Sequence, residues 1–589
     1  VMSVVMGRAL YLTQRLGWIE KLMREITVRV IEPWLGYMEG WVGLRAETPV
    51  LNELISRGTG FAALEHVDTK KATQMPAFVP ADQAQLIFES GKSLRFLKRS
   101  HPRHPLASTT APKLRFADSW RDIERVQTKA HEYEASLRAE ILKYNRGEPR
   151  PVETESTPES MRNAPDTYDV FDMEDERHMT GLLNHASSEN DHLGQLSSSI
   201  EVASHKDTEF GPELTSSLYL SLAPVLASQA LLIDFSCLHV LFKEHAIRTH
   251  LTLQWRFQLL GDGFFTSLLS SALFDPDMES SERKAGLVPG VHTGLRLGSR
   301  DTWPPASSEL RLALIGILNE SHNVPTQEEG HRRNETELPG GLSFSIRELP
   351  EEEIPKCKDP NTIQALDFLR LHYKPPPELE IIITKQSLDK YDRLFKHLLR
   401  LLRMTSVVKN AVRDSTARSS LSGDTRNIFQ RFRIDAHHFI ITVCDYCFHV
   451  GVGSTWRRFQ DTLSLIEDCL DRADISGTID AAHSVPRLRE LHDAVLDEML
   501  FALFLSKRHA QAAKVLDSIF DIILSFAPIS RLDGDRGVRH GKEDTVLQLY
   551  RVFRKQTAAF VGYLRAIQGG SLVRGNIFEH LLVRLDLNG

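Results

Sequence analysis

Residues 379–404, LEIIITKQSLDKYDRLFKHLLRLLRM, decide how this chain is read. The opening LEIIIT (379–384) is short and β-branched, which suits a strand or an extended lead-in. From Leu388 the apolar residues recur at three- and four-residue steps. Leu388, Tyr391, Leu394, Phe395, Leu398, Leu401 and Leu402 form one stripe of a long helix. Three more stripes follow downstream. Leu491, Val495, Leu496, Met499, Leu500, Leu503 and Phe504 make one; Val515, Leu516, Ile519, Phe520, Ile523 and Phe526 another; Leu547, Tyr550, Phe553, Phe560, Leu564 and Ile567 the last. Helices with broad apolar faces joined by polar loops bury those faces against one another as bundles. No alternation of strands with helices points to a parallel sheet, and no short repeat period stands out. The expected fold class is all-α.

Upstream, residues 8–45 read as helical, with a break or kink expected at Pro33. Pro80 opens the next helix, Pro102 and Pro105 stop it, and 118–143 form a more polar helix. Residues 145–212 are rich in Glu, Ser, Asp, Pro and Asn. They bury too little apolar surface to offset their ordering entropy and read as a flexible acidic insertion. Residues 216–274 carry two or three strongly apolar helices, followed by a broken stretch at 278–308 and a polar one at 320–340.

With 589 residues and 25 % charged side chains, the chain has the composition of a folded protein of some size. A net charge of −7 excludes a globally basic nucleic-acid binder. The 28 Phe, 11 Tyr and 7 Trp exclude wholesale disorder. Five cysteines are too few for a disulfide framework and suit a reducing compartment. No apolar run is expected to reach membrane-spanning length, no signal peptide is read at the start, and no membrane partner is expected. The charge is uneven: residues 378–589 hold 30 basic and 26 acidic residues, net +4, while the rest sum to −11.

No motif carries chemistry convincingly. Gly91-Lys92-Ser93 lacks the glycine that a phosphate loop needs five residues earlier, where Leu86 stands. Gly261-Asp262-Gly263 reads as a helix break. Cys444 and Cys447, a helical turn apart among Ile, Val and Phe, read as small core hydrophobes, with no second ligand pair for zinc. Trp456-Arg457-Arg458 and Arg431-Phe432-Arg433 pair aromatics with arginines, a composition enriched at interfaces but also common where core helices snorkel. No catalytic residue, cofactor or metal is expected. The residues argue for a scaffold, not an enzyme.

Several blocks resemble the gamma-tubulin complex components. They are 363–404 around the opening stretch, His239–Phe274 (with LFKEHAIRTHLTLQWRFQLLGDGFFTSLLSSALF), Phe432–Phe459 (FRIDAHHFIITVCDYCFHVGVGSTWRRF), LRELHDAVLDEMLFALFL, the closing HLLVRLDLNG, and 76–97 near the other end. They lie in the family's order over nearly the whole chain. The insertion at 145–212 and the broken stretch near 280–340 resemble the larger, non-core members, the fifth and sixth components. The chain opens on Val1, and the start of the family's N-terminal domain is not recognised in it.

The resemblance implies two consecutive helical-bundle domains forming an elongated scaffold: an N-terminal domain over 1–245, incomplete at its start, and a C-terminal γ-tubulin-binding domain over 246–589. It implies a non-catalytic subunit of the gamma-tubulin ring complex, in the cytoplasm and cytoskeleton at a microtubule-organising centre or spindle pole. Its partners would be γ-tubulin and, laterally, other complex components. The alternative is a helical adaptor or spacer docking the complex without holding γ-tubulin. Composition offers Arg431, Arg433, Trp456, Arg457 and Arg458 as candidate γ-tubulin contacts.

Overall fold

The computed structural model describes residues 2–16, 19–45, 79–108, 114, 117, 119–147, 212–278, 294–297, 303–305, 307–323, 338–416, 424–531, 539–570 and 575–586. Most of the acidic insertion, 148–211, therefore lies outside the described residues. The chain is all-α and divides into two compact units: Val1–Glu244 with Leu465–Arg487, and His245–Ser464 with Leu488–Gly589.

In the first unit, α1 (Met2–Arg15) packs on α2 (Glu20–Val42), and α2 packs on α3 (Ala81–Ser100) and α5 (Leu214–His239), with α4 (Trp120–Asn145) between them in sequence. Of the break or kink expected at Pro33, the break does not occur, since α2 runs through it. Pro33 is exposed, so its missing N–H leaves no buried group unpaired. The helix ends instead at Gly43, which has φ +84° and whose added Cβ would lie 2.4 Å from Leu94 Cδ2.

Helix α5 is apolar on every side, as a helix at the centre of a bundle must be. It packs on α3 and α4. Tyr219–Glu244 is long and apolar enough by length and composition to cross a membrane, which corrects the expectation that no run would reach that length. Of that window, 83 % is buried in the folded chain. Its polar groups are met internally: Tyr133 Oη donates to Gln229 Oε1 at 3.1 Å, and Gln229 Nε2 donates to the Val42 carbonyl at 3.2 Å.

Gly91 explains itself in α3. A Cβ there would fall 1.9 Å from Trp41 Nε1. That indole donates to the Ile87 carbonyl at 2.9 Å, and the Arg95 guanidinium lies 3.8 Å from its ring centroid. The Gly-Lys-Ser tripeptide is thus a helix–helix packing site.

The second unit begins with α6 (Ile247–Leu253), a π-turn over Gln254–Gln258, α7 (Gly263–Phe274) and α8 (Ser307–Asn323). Asp262 caps α7, accepting from Phe264 N at 2.9 Å and Phe265 N at 3.2 Å, so Gly-Asp-Gly is the expected helix break. Two short strands, β1 (Ser343–Ile346) and β2 (Leu369–His372), pair antiparallel with Phe344 opposite Leu371. The LEIIIT stretch is no strand. Leu379–Ile381 form a 3₁₀ turn, and Ile382 and Ile383 are both buried.

The long helices follow: α9 (Lys385–Thr416), α10 (Asp424–Asp445), a π-helical stretch over Tyr446–Ser454, and α11 (Thr455–Asp471). Then come α12 (Ile475–Ala482), which belongs to the first unit, and α13 (Val485–Ala502), α14 (Ala510–Arg531), α15 (Arg539–Gly570) and α16 (Glu579–Asp586). The apolar stripes face the core: Tyr391, Leu394, Leu398, Ile519, Phe520, Phe560 and Leu564 are essentially inaccessible. Burying one such side chain is worth roughly 1.5–3 kcal/mol. Cys444 and Cys447 are buried as well, and burial pushes the Cys444 thiol up to about 12.

Candidate binding surface

The five candidate contacts lie on one helical rod, because α10, the π-stretch and α11 run on without a break. The π-stretch is shaped by close approach. A Cβ on Gly451 would sit 2.8 Å from Leu503 Cδ1, and one on Gly453 would sit 2.9 Å from the Phe448 carbonyl oxygen. About 25 residues of helical rise separate Arg431 from Trp456, or about 35 Å. The two arginine–aromatic clusters are therefore two places and not one.

At the second place Trp456 is 1 % exposed. Its ring stacks on Trp255 with centroids 5.5 Å apart and planes 4° apart, and it meets Phe459 edge-on at 5.4 Å. Phe459 in turn stacks on His492, whose Nε2 is 2.9 Å from Tyr391 Oη. An indole walled in by this aromatic column offers no surface to a partner, so Trp456 is a core residue. Gly261 belongs to the same column, since a Cβ there would be 2.2 Å from the Trp255 ring. Arg457 is exposed. Arg458 reaches Glu498 at 2.5 Å in an exposed ion pair.

At the first place Arg431 is exposed on the side of α10 that faces α15, and Arg433 is half-buried on another side. Phe432, between them, points inward and packs on Phe526 at 4.2 Å, Phe553 at 5.3 Å and Tyr550 at 5.5 Å. Tyr550 Oη donates to Asp435 Oδ2 at 2.8 Å. Its phenol is raised by burial and by that carboxylate, while Arg554 and Arg431 pull the other way. The structure thus brings Arg431 and Arg554 both within electrostatic reach of Tyr550, which residue spacing in the sequence did not reveal. The available signal was the acid-free run from Thr545 to Phe578.

The chain's end is fastened to the same rod. Arg584 pairs with Asp445 at 2.6 Å, and Arg565 pairs with Asp586. Phe578 lies among Phe504, His509, Phe501 and Tyr446, at 5.0–6.1 Å between ring centroids. Leu581 and Leu585 are buried. Within the closing block, Leu581 and Leu585 therefore dock α16 (Glu579–Asp586) onto the unit's core. Among the described residues no group of three or more His, Cys, Asp or Glu is arranged to hold a metal ion.

These features define an all-helical, two-unit protein whose recognisable motifs serve packing. The family model for the gamma tubulin complex component C-terminal domain matches residues 247–589, and that for the N-terminal domain matches 3–244. The chain belongs to the gamma-tubulin complex component family. It is similar to Gamma-tubulin complex component 6 of Mus musculus, 25 % identical over 344 residues, and to that of Homo sapiens, 24 % identical over 345 residues. Each match covers 57 % of this chain, but only 17 % of the mouse protein and 16 % of the human one.

Proposed function

We propose that this chain is a non-catalytic subunit of a gamma-tubulin complex that helps template microtubule nucleation. The observation that carries the reading is the match of both family domains, in order, over 3–244 and 247–589. In this reading a C-terminal domain over 246–589 holds γ-tubulin, and an N-terminal domain over 1–245 contacts neighbouring components side by side. Such heterologous contacts generate an open helix when their rotation does not close. Subunits held in that helix preorganise γ-tubulins and remove much of the entropy cost of gathering the first tubulins. The place of work is the cytoskeleton, at a microtubule-organising centre or spindle pole. Arg431, Arg433, Arg457 and Arg458 remain the proposed γ-tubulin contacts, and Trp456 holds the rod that carries them.

The test is capture of purified γ-tubulin by the full chain, with folding checked by circular dichroism. Retention of γ-tubulin supports the reading. A folded chain that joins other complex components but retains no γ-tubulin overturns it in favour of an adaptor or spacer.

A further inference from the structure

The outer face shared by α10 and α15 carries four exposed cations against one carboxylate, that of Asp435. Arg551, Arg554 and Lys555 on α15 and Arg431 on α10 are all exposed. None of the four is in an ion pair among the described residues. Arg551 and Lys555 are four residues apart and Arg554 lies between them, so the three share one side of α15 over about 6 Å. Contact of Phe432 with Tyr550 and Phe553 brings Arg431 alongside, where it and Arg554 both act on Tyr550. Asp435, the acid at this place, already accepts the Tyr550 hydroxyl. Ile434, at 64 % exposure, adds an outward apolar side chain on α10. Elsewhere in the same unit some exposed arginines are matched, Arg458 with Glu498, Arg584 with Asp445 and Arg565 with Asp586, while Arg457 and Arg508 stand singly among the described residues.

We propose that this α10–α15 face docks an acidic polypeptide segment of another protein, with Arg431, Arg551, Arg554 and Lys555 supplying the charges. A run of like charge left unpaired is held against its own repulsion, and a complementary segment relieves that repulsion on binding. A nucleic acid fits less well. Tyr550, the aromatic at the edge of this face, is half-buried with its hydroxyl committed, so the face offers no platform on which bases could stack. The inference goes beyond the subunit reading, because it assigns a partner chemistry to one face whatever complex the chain joins.

The test is fluorescence anisotropy of a fluorescein-labelled oligoglutamate peptide titrated with the full chain, at ionic strengths of about 0.02 and about 0.15 M. Binding should weaken as salt rises. Replacing Arg431, Arg551, Arg554 and Lys555 together by Glu should weaken it at least tenfold, and Arg551→Glu with Lys555→Glu alone should give part of that loss. Replacing Arg8, Arg15, Arg121 and Arg125 by Glu makes the same change in net charge on the first unit and should leave binding within twofold. Equal loss in both fourfold variants would mean that net charge alone attracts the peptide and would overturn the proposal. So would unchanged binding in the first variant, or displacement of the peptide by lower concentrations of poly(U) than of unlabelled peptide.

Discussion

Replacing Asp367 by Asn tests whether a buried ion cluster holds the second unit together. Asp367 precedes β2 and its side chain is 3 % exposed. Its Oδ1 accepts from Arg400 Nε at 2.9 Å, its Oδ2 from Arg400 Nη2 at 2.5 Å, and Lys396 Nζ lies 3.0 Å from Oδ2. One carboxylate thus fixes the β2 loop to α9 through two cations. Asn keeps the shape and removes the charge. Breaking one partner out of a buried pair costs about 3–5 kcal/mol, because the remaining charge is left uncompensated. Two features place this case near the lower end. Lys396 is 29 % exposed and can turn to solvent, and Asp517 Oδ1, 3.9 Å from Arg400 Nη1, covers part of the guanidinium charge. A loss of about 3 kcal/mol is expected, which accelerates hydrogen exchange of α9 and α14 amides roughly 150-fold. Mass-spectrometric exchange is the right assay, since a global melt would mix two units. Asp517→Asn, whose side chain is 44 % exposed, should cost under about 1 kcal/mol. Acceleration of less than about fivefold in Asp367→Asn would refute the reasoning.

Gly91→Ala should destabilise the first unit by about 2 kcal/mol. Its gain in helix propensity, about 1 kcal/mol, is smaller than the cost of moving the Trp41 ring off its bond to Ile87, and hydrogen exchange of the α2 and α3 amides reads the difference. Trp456→Ala should cost about 3–5 kcal/mol and Arg458→Ala under about 1 kcal/mol in denaturant unfolding; the reverse order would make Trp456 a surface residue. Asp234, buried and near Glu89, has its carboxyl pushed up to about 7, with the Ser93 hydroxyl and the Val485 N–H offsetting part of the shift. Its proton therefore stabilises the fold fully at acid pH, and up to about 4 kcal/mol is lost as pH rises from about 4 through 7. Asp234→Asn should flatten that fall in exchange measurements on α5; an unchanged pH profile would exclude the carboxyl as its source.

The long stripes were readable because α9 and α14 bury one face and solvate the other, so a 3.6-residue period is written into their residues. LEIIIT misled for a physical reason. Its isoleucines are β-branched, but Pro375–Pro377 precede them and the amides of Ile382 and Ile383 bond back to Leu379 at 3.0 and 2.8 Å. No strand lies alongside, and burial alone set the residue choice. The true strands escaped notice because LRLH has no β-branched residue and each strand is four residues long. Cys444, Cys447 and the Gly-Asp-Gly turn were legible from their immediate neighbours. At the candidate surface Arg431 was legible from local composition, whereas Arg554, which acts on the same Tyr550, lies 123 residues further on. Trp456 carried the same local signal and turned inward, since an arginine–aromatic pair does not state which of its members faces water.

The first unit is closed by Leu465–Arg487, a piece of chain that is complete only 243 residues after Glu244 ends the rest of it. Within that unit α12 packs on α5, and Lys243 pairs with Asp471. A ribosome adding about 5–20 residues per second leaves the apolar flank of α5 waiting roughly 12–50 s for its cover. Synthesis of this protein therefore has an exposed interval built into its order of parts. Truncation near 245 makes that interval permanent, and a fragment so made depends on chaperones for a surface the whole chain covers by itself.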